Sequence, residues 1–173
     1  MEVLHAPWRI EYIRSPKKGM HPGEESLFSR IAREDRDIEN YVLVRSRSCF
    51  AVLNAFPYNG GHLMIVPYRQ IESLEDLVDD ELLDLMRLAQ RCLRAARAVM
   101  HPQGFNLGLN LGKCAGAGIA EHLHLHVVPR WEGDTNFMPV IAGTNVVPEA
   151  LLETAAALRA ELQRDLAANP FPA

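Results

Sequence analysis

The sequence predicts an α+β domain with a mainly antiparallel sheet of about five strands, one long helix and a C-terminal helix. Runs of β-branched and aromatic residues of strand length fill much of 41–69, and sequences that alternate as strands do occupy 104–112 and 122–130. Apolar residues with helical spacing occupy 79–100, between these two groups of strands. Strands and helices thus follow one another in blocks, which is typical of an α+β arrangement and not of alternating parallel units.

The chain of 173 residues is predicted to form one domain with three parts. Residues 1–40 are expected to be an irregular segment that packs on the core, since proline and glycine interrupt it and only 26–31 form a short apolar turn. Residues 41–147 make up the main domain. Residues 148–173 are predicted to be a C-terminal helix and tail, because a proline suits the first helical turn and Ala, Leu, Glu and Arg follow it.

The first three strands are predicted from short runs that end at turn residues. The runs YVLVRS (41–46) and CFAVLNAF (49–56) are expected to pair as a hairpin. The cluster PYNGG (57–61) predicts a turn, because proline fixes φ and glycine accepts positive φ. A third strand follows in HLMIVPYR (62–69).

The long helix is predicted over Asp79–Met100 and is followed by two alternating strands. Its apolar residues fall at 82, 83, 85, 86, 89, 93, 96 and 100, close to the period of one buried face. Its arginines are expected to lie on a solvated face; they are Arg91, Arg94 and Arg97. The runs GFNLGLNLG (104–112) and HLHLHVVPR (122–130) then predict the last two strands.

Composition narrows the possible partners and the cellular location. The chain has 18 Lys+Arg against 22 Asp+Glu, a formal charge of −4, which argues against broad binding to nucleic acid. Its three cysteines are widely spaced, so no disulfide framework is implied and a reducing compartment fits best. No apolar run approaches the ~20 residues that span a bilayer, and the first residues lack the order of a signal peptide. We therefore predict a cytoplasmic protein with neither nucleic acid nor membrane as a partner.

Three histidines, His122, His124 and His126, are the strongest candidates for chemistry. Side chains alternate faces along a strand, so the three imidazoles are expected to share one face while the intervening apolar residues face the core. Neighbouring imidazoles would lie roughly 6.5–7 Å apart. Groups that titrate near neutrality suit nucleophilic and acid–base work.

Two other interpretations of this row stay open from the residues alone. Buried histidines can be satisfied structural groups, although three in register on one face make this less common. His-x-His on a strand can also present two nitrogen ligands to a metal. No Cys, Asp or Glu falls at a compact ligand spacing beside the row, but a ligand distant in sequence would serve as well.

The decamer HLHLHVVPRW (122–131) resembles the signature of the histidine triad (HIT) superfamily of nucleotide hydrolases and transferases. APWRIEYI near the start, 51–69, GFNLGLNLG and GDTNFMPV are similar to the bacterial branch related to diadenosine tetraphosphate phosphorylases. The resemblance extends from Ala6 to Pro148. It implies cleavage of a nucleoside polyphosphate such as diadenosine tetraphosphate through a nucleotidyl-histidine intermediate, with phosphorolysis favoured over hydrolysis. The alternatives are hydrolysis of a nucleoside phosphoramidate or other nucleotide conjugate, and a nucleotide-binding module without significant turnover.

The resemblance also implies a role for each catalytic histidine. His124 matches the nucleophile that attacks the α-phosphorus. His126 and His62 match groups that hold non-bridging phosphate oxygens, where charge is stabilised in the transition state. His122 matches a residue near the leaving-group oxygen.

Further positions match substrate-binding residues of the family. Asn54 matches the position that binds the ribose hydroxyls, and Asn110 a polar residue that contacts phosphate or leaving group. The positions that sandwich the base are matched by Leu27, Phe28, Ile31 and Val52. Three glycines could let backbone N–H groups reach phosphate oxygens: Gly112, Gly116 and Gly118. The charge of Lys113 could bind an acceptor phosphate. Trp131 matches an aromatic residue just after the triad.

Departures from the family pattern bear on metal binding and on the phosphate contacts. Many bacterial relatives carry a zinc-binding Cys-x-x-Cys where this chain has Ser26 and Ser29, and serine hydroxyls are poor zinc ligands. We therefore predict no protein-bound metal and no required cofactor, while magnesium accompanying the substrate phosphates is compatible. The turn 117–120 lacks the Ser, Thr or Gln that relatives often have there. The resemblance further implies a homodimer.

Overall fold

A computed structural model describes residues 24–134 and 151–171. Its secondary structure confirms the predicted α+β fold, with helices on an antiparallel sheet. The helices are α1 (Leu27–Arg33), α2 (Asp79–Met100) and α3 (Leu151–Ala168). The strands are β1 (Val42–Arg45), β2 (Cys49–Leu53), β3 (Leu63–Pro67), β4 (Gly104–Leu109) and β5 (Leu125–Arg130). The segment APWRIEYI, which carries part of the resemblance, and the predicted helix-starting Pro148 lie outside the described residues.

The sheet has the strand order β1-β2-β3-β5-β4 and every neighbouring pair is antiparallel. The turn 57–61 brings Leu63 opposite Leu53, and Leu63 also lies opposite Val127 of β5. Gly61 adopts φ +68°, a backbone conformation that favours glycine, and the end of the Met100 side chain packs where a Cβ would be. The turn therefore fixes the residue that follows it, His62, at the start of the central strand.

The two faces of the sheet bury different partners because side chains alternate along each strand. One face packs against α2 and α3, and its strand residues include Ala51, Leu53, Ile65 and Val127. The opposite face packs against α1 through Phe28 and Ile31, and its strand residues include Phe50, Val52, Met64 and Val66. Since His126 pairs with Met64 across the β3–β5 ladder, the histidine row belongs to the face that α1 covers.

Helix α1 replaces the short apolar turn that the sequence predicted at 26–31. Ser26 is its N-cap, and the hydroxyl accepts a hydrogen bond from the backbone N–H of Ser29 at 3.0 Å. Phe28 and Ile31, one turn apart, are the residues it buries. Burying a side chain of this size contributes about 1.5–3 kcal/mol, so these two residues provide the main apolar contacts of the helix with the sheet.

Helix α2 has the predicted bounds, but its buried face was predicted only in part. Leu85, Ala89 and Ala96 are buried, as expected. Leu82, Leu83 and Met86 are instead exposed. The helix carries apolar residues around more than one face, and its contacts with the sheet and with α3 decide which of them are covered.

The prediction that Arg91 lies on a solvated face was wrong. Its guanidinium is buried between α2 and α3, where it donates to the Asp165 carboxylate at 2.6 Å and to the carbonyl oxygen of Asn169. Arg94 donates to the same carboxylate at 3.1 Å from a more exposed position. These hydrogen bonds, led by the one from Arg94, lower the pKa of Asp165. The network therefore joins the C-terminal helix to the long helix at a site with little access to water.

Replacing Asp165 with alanine is expected to lower the free energy of unfolding by about 3 kcal/mol, because it leaves the Arg91 charge buried without its carboxylate. The pKa of Asp165 is lowered in the folded state, so the advantage of the parent is fully present above the ordinary aspartate pKa and disappears as the pH falls through the lowered one. Urea unfolding at pH 7 and at lower pH measures both effects. Arg47→Ala, which removes an exposed ion pair with Asp80, is the control and should cost less than about 1 kcal/mol. Equal losses for the two variants would contradict this account.

Strand β5 begins later than the sequence predicted. The alternating run was expected to be strand from residue 122, but the ladder starts at Leu125. The preceding backbone turns away because Leu123 donates its N–H to the carbonyl oxygen of Ile71 at 2.6 Å. His122 therefore lies at a bend and His124 just before the strand, and only His126 is a ladder residue.

None of the helices in the described parts of the chain combines the length and apolarity needed to cross a membrane.

Candidate active site

Four histidines lie together on the sheet face that α1 covers. His122 is 0% exposed, His62 1%, His124 6% and His126 9%. The ring centroids of His124 and His126 are 4.8 Å apart, and those of His62 and His126 are 5.1 Å apart. Phe28 of α1 contacts both His122 and His124, with centroid distances of 5.6 and 5.2 Å. The cluster is thus a buried group of imidazoles held between the sheet and one short helix.

The ring of His122 is held at both nitrogens by groups of the protein. Nε2 lies 2.8 Å from the carbonyl oxygen of Pro67, and Nδ1 lies 2.5 Å from the Ser26 hydroxyl. A carbonyl oxygen only accepts, so Nε2 carries the proton and Nδ1 accepts from Ser26. Burial lowers the pKa of His122, so this neutral form persists at neutral pH. His122 is therefore an anchored neutral group.

His124 has the form that a nucleophile requires. Its Nδ1 lies 2.8 Å from the carbonyl oxygen of His122 and must donate its proton there. The lone pair of a neutral imidazole is then on Nε2. Burial lowers the pKa of His124, which keeps the ring neutral and nucleophilic at and somewhat below neutral pH.

His62 and His126 form a pair whose proton positions follow from the backbone. The N–H of Tyr58 donates to Nδ1 of His62 at 3.0 Å, so the proton of His62 is on Nε2. That Nε2 lies 3.0 Å from Nδ1 of His126, which consequently accepts and leaves its own proton on Nε2. The amide nitrogen of Asn110 lies 3.4 Å from His126 Nε2. Both atoms are donors in this proton arrangement, so they do not bond to each other and both face the same space. This chain of hydrogen bonds makes His126 a fixed donor toward the space beside Asn110.

A cavity of about 240 Å³ opens between α1, the end of β2 and the loop before β5. Its floor and walls are mainly apolar and include Leu27, Phe28, Ile31, Val52, Met64 and Ile119. Polar groups line its rim, including Glu39, Asn40 and Asn54. His124 and His126 lie at one end. An apolar slot with a few polar groups and two imidazoles suits a flat heterocycle joined to a charged group.

A second, more open cavity of about 220 Å³ lies on the other side of His126. It is lined by Asn106, Leu107 and Gly108 of β4, Asn110, and Val128 of β5. Tyr58 and His126 line both cavities and so lie where the two meet. A ligand in the first cavity that extends past His126 therefore reaches the second.

The structure brings most of the predicted binding residues to these cavities. All four predicted base-contact residues line the first cavity together with Asn54, Gly116 and Gly118, and Asn110 lines the second. The side chain of Asn54 lies at the rim, where Oδ1 accepts from the N–H of Phe56 at 2.9 Å and Nδ2 lies 3.4 Å from His62. Gly116 adopts φ +89°, which explains a glycine at that point of the loop.

Other predicted site residues lie elsewhere. Neither cavity is lined by His122, His62, Lys113 or Trp131. The N–H groups of Gly116 and Ala117 donate within their own loop, to the carbonyl oxygens of Lys113 and Gly112 at 3.1 and 3.3 Å. Of the phosphate donors suggested by the sequence, His126 is the one that this geometry supports best.

Tyr58 is a site residue that the sequence analysis missed. Its ring stacks on His62, with centroids 4.7 Å apart and planes inclined by 16°, and it lies 5.7 Å from His126. The only signal for it was an aromatic residue four positions before His62, inside a segment assigned to a turn. Its role depends on the way the turn folds back over the histidines.

The donor set does not fit the zinc that the resemblance associates with relatives. Among the described residues, no group of three or more His, Cys, Asp and Glu is placed to hold a metal ion. Ser26, Ser29, Gln70 and His122 cluster where those relatives have cysteines, but these side chains bond to one another. Every buried side-chain nitrogen and oxygen in the described residues has a hydrogen-bond partner, so the cluster has no unsatisfied atom that would suit a metal ligand.

The fold and the four histidines define a class of protein: a small α+β domain with imidazoles beside an apolar cavity. Comparisons with known proteins lead to the same class. A family model described as the HIT domain matches residues 35–133. The chain belongs to the histidine triad (HIT) family, which confirms the resemblance found in the sequence.

Individual relatives span most of the chain. An AP-4-A phosphorylase of Mycobacterium tuberculosis (strain H37Rv) is 44% identical over 170 residues, covering 95% of this chain and 86% of that protein. A bis(5'-nucleosyl)-tetraphosphatase of Schizosaccharomyces pombe is 29% identical over 97 residues, covering 56% of this chain and 53% of that protein. A zinc-bound histidine triad protein of Mycobacterium smegmatis superposes with a TM-score of 0.65 at 25% identity, covering 84% of this chain and 98% of that one.

Proposed function

We propose that this chain cleaves dinucleoside tetraphosphates by phosphorolysis, through a nucleotidyl intermediate on His124. The observation that carries the proposal is the hydrogen bond from His124 Nδ1 to the carbonyl oxygen of His122, which leaves the Nε2 lone pair at the end of the apolar cavity. The similarity to the AP-4-A phosphorylase over 95% of the chain supports both the substrate class and phosphate as the acceptor.

In the first step, the base lies in the apolar slot and the ribose lies near Asn54. Nε2 of His124 attacks the α-phosphorus, so that a P–N bond forms while the P–O bond to the leaving nucleoside triphosphate breaks. The proton on Nε2 of His126 meets the negative charge that grows on the non-bridging oxygens. His62 acts through His126, because its own Nε2 proton is given to that ring.

In the second step, an oxygen of inorganic phosphate attacks the same phosphorus from the side that the leaving group vacated. The P–N bond breaks, His124 regains its lone pair, and the product is a nucleoside diphosphate. The second cavity lies on the appropriate side of His126 and offers Asn110 as a polar contact. We assign to this cavity the phosphates of the outgoing nucleoside triphosphate and then the incoming phosphate.

Turnover of diadenosine tetraphosphate in labelled inorganic phosphate tests the proposal. Phosphorolysis places the label in ADP and releases ATP, whereas water as the acceptor gives unlabelled AMP. We expect labelled ADP at saturating phosphate. Unlabelled AMP under those conditions would contradict phosphorolysis and leave the His124 intermediate standing. No turnover of diadenosine tetraphosphate at all would favour the binding-module alternative. Cleavage of a nucleoside phosphoramidate without cleavage of diadenosine tetraphosphate would favour the conjugate hydrolase.

We further propose that turnover needs no metal ligated by the protein and no cofactor, since Ser26 and Ser29 stand where relatives bind zinc. Metal analysis of protein purified without a histidine tag should find far less than one zinc per chain. Chelation should leave activity unchanged once magnesium has been restored to the substrate phosphates. Stoichiometric zinc that is lost together with activity would contradict this prediction.

We also propose that the protein is cytoplasmic and that it forms a homodimer. Strand β4 is an edge strand with β5 as its neighbour, and Asn106, Leu107 and Gly108 on it are exposed. Light scattering at micromolar concentration should report about twice 19.4 kDa. Leu107→Lys, which places a charge on that edge, should shift the protein to a monomer. A parent protein that is monomeric under these conditions would contradict the proposal.

A further inference from the structure

A cluster of uncharged polar side chains joins the start of α1 to the residue that supports the nucleophile. We define the serine clasp as Ser26, Ser29, Gln70 and the ring of His122. Ser26 and His122 are fully buried, and Ser26 Oγ lies 2.5 Å from Nδ1 of His122 across 96 positions of sequence. Ser29 Oγ lies 3.4 Å from the same nitrogen. The short and buried Ser26 contact is therefore the main link.

The direction of each hydrogen bond in the clasp is determined. Because His122 gives its Nε2 proton to Pro67, Nδ1 takes the proton of the Ser26 hydroxyl. The Ser29 hydroxyl donates to Gln70 Oε1 at 2.9 Å, and the N–H of Ser26 donates to the same oxygen at 2.9 Å. The amide nitrogen of Gln70 donates to the carbonyl oxygen of Glu24. The Ser26 hydroxyl thus donates to Nδ1 and accepts from the N–H of Ser29, and it holds the His122 ring in the tautomer that the Pro67 carbonyl sets.

The clasp includes His122, which lies two positions before the reacting His124 and bonds to it through its backbone. The carbonyl oxygen of His122 accepts the Nδ1 proton of His124 at 2.8 Å, and this bond sets which nitrogen of His124 can attack. Pro67 holds the other side of the His122 ring and ends the central strand β3. The His122 ring is therefore fixed between α1 and β3, and the position of its carbonyl oxygen is fixed with it.

We infer that Ser26, supported by Ser29 and Gln70, is a positioning residue for the nucleophile: its hydroxyl fixes the His122 ring, and the His122 carbonyl then holds His124 in its attacking tautomer. The inference rests on the proposed function, in which His124 attacks phosphorus. In this chain the clasp stands where the family resemblance places zinc, and its hydrogen bonds hold the His122 ring. A Ser26 that only caps α1 would affect the stability of the helix and leave the His122 and His124 tautomers unchanged.

Three variants separate the hydroxyl from the cap. Ser26→Gly removes the hydroxyl, but glycine is a tolerable N-cap that costs only a few tenths of a kcal/mol. Ser26→Thr keeps both the hydroxyl and the cap and is the matched control. Ser26→Cys has nearly the same size with a weak S–H donor, and it replaces the glycine variant should that variant not fold.

We expect Ser26→Gly, or Ser26→Cys in its place, to lower kcat fivefold or more with KM within threefold of the parent. Ser26→Thr should stay within threefold of the parent in both constants. Two-bond ¹H–¹⁵N spectra of histidine-labelled protein should show His122 protonated at Nε2 and His124 at Nδ1 in the parent. The His124 signal should lose that single tautomer in the glycine or cysteine variant.

A kcat less than fivefold below the parent, or a change confined to KM, would overturn the inference. So would a parent spectrum with the His122 proton on Nδ1. The spectra are recorded without substrate, so a parent protein that does not turn over diadenosine tetraphosphate would contradict the proposed function while the tautomers still decided the role of Ser26.

Discussion

His124→Ala is expected to lower turnover of diadenosine tetraphosphate by roughly 10³-fold or more while nucleotide affinity stays close to that of the parent. The loss is large because the variant has no lone pair to attack phosphorus, and the neighbouring imidazoles cannot replace it: His122 is held at both nitrogens, and His126 presents a proton. Binding should survive because the apolar cavity walls and the Asn54 rim are unchanged. Steady-state kinetics and calorimetric titration with AMP measure the two quantities.

His101→Asn is a matched control for loss of an imidazole. His101 is exposed at the C-cap of α2 with φ 51°, a conformation that asparagine adopts readily, and turnover should stay within about twofold of the parent. Mass spectrometry of the parent quenched during turnover without acid should find a protein heavier by one nucleotidyl group, and the His124 variant should lack this species. Turnover within tenfold of the parent in His124→Ala would exclude the covalent mechanism.

The second large effect concerns His62 and His126. The loss of kcat in the double variant should be smaller than the product of the losses in the two single variants. His126→Ala removes the donor to the phosphate oxygens and should lower kcat about 10²-fold. His62→Ala removes the group that fixes the proton of His126 on Nε2, so it should cause a loss of similar size. Because His62 acts through His126, the double variant should be about as slow as His126→Ala alone.

A double-mutant cycle on kcat, with circular dichroism as a check on folding, tests this coupling. The result that would contradict it is a double variant whose loss equals the product of the two single losses, since this would place His62 in independent contact with the substrate. His101→Asn, which removes an exposed imidazole far from the site in sequence, is again the control and should leave kcat within about twofold of the parent.

The sequence predicted the fold class and the family because local patterns carry them. The β-branched and aromatic runs at 49–56 and 62–69, the helical spacing at 79–100 and the turn PYNGG are short-range features, and the structure has the corresponding elements. The triad His122, His124 and His126 with its flanking residues is equally local. Base-contact positions such as Phe28 and Val52 were assigned by resemblance, and they line the same cavity.

Other expectations failed where the outcome depends on long-range contacts. Arg91 was expected in solvent, but it meets Asp165, which is 74 positions away on another helix. The exposed leucines of α2 were expected to be buried, but a helix with several apolar faces buries only those that meet the sheet and α3. Spacing along the chain does not indicate which neighbours tertiary packing supplies.

The sequence by itself determined the fold class and, through the family resemblance, which four histidines and which apolar residues belong to the site, because the motifs that carry this information are short stretches of chain. The antiparallel pairing of β3 with β5 then brings His62 to the triad. Tertiary structure alone decided the role that each imidazole can have. Pro67 and Ser26 fix the proton of His122 on Nε2, and the carbonyl of His122 fixes that of His124 on Nδ1. The N–H of Tyr58 fixes the proton of His62 on Nε2, and His62 in turn fixes that of His126 on Nε2. A proton position depends on which donor or acceptor lies within about 3 Å of each ring nitrogen, and those partners are set by the packing of α1, the turn and the sheet.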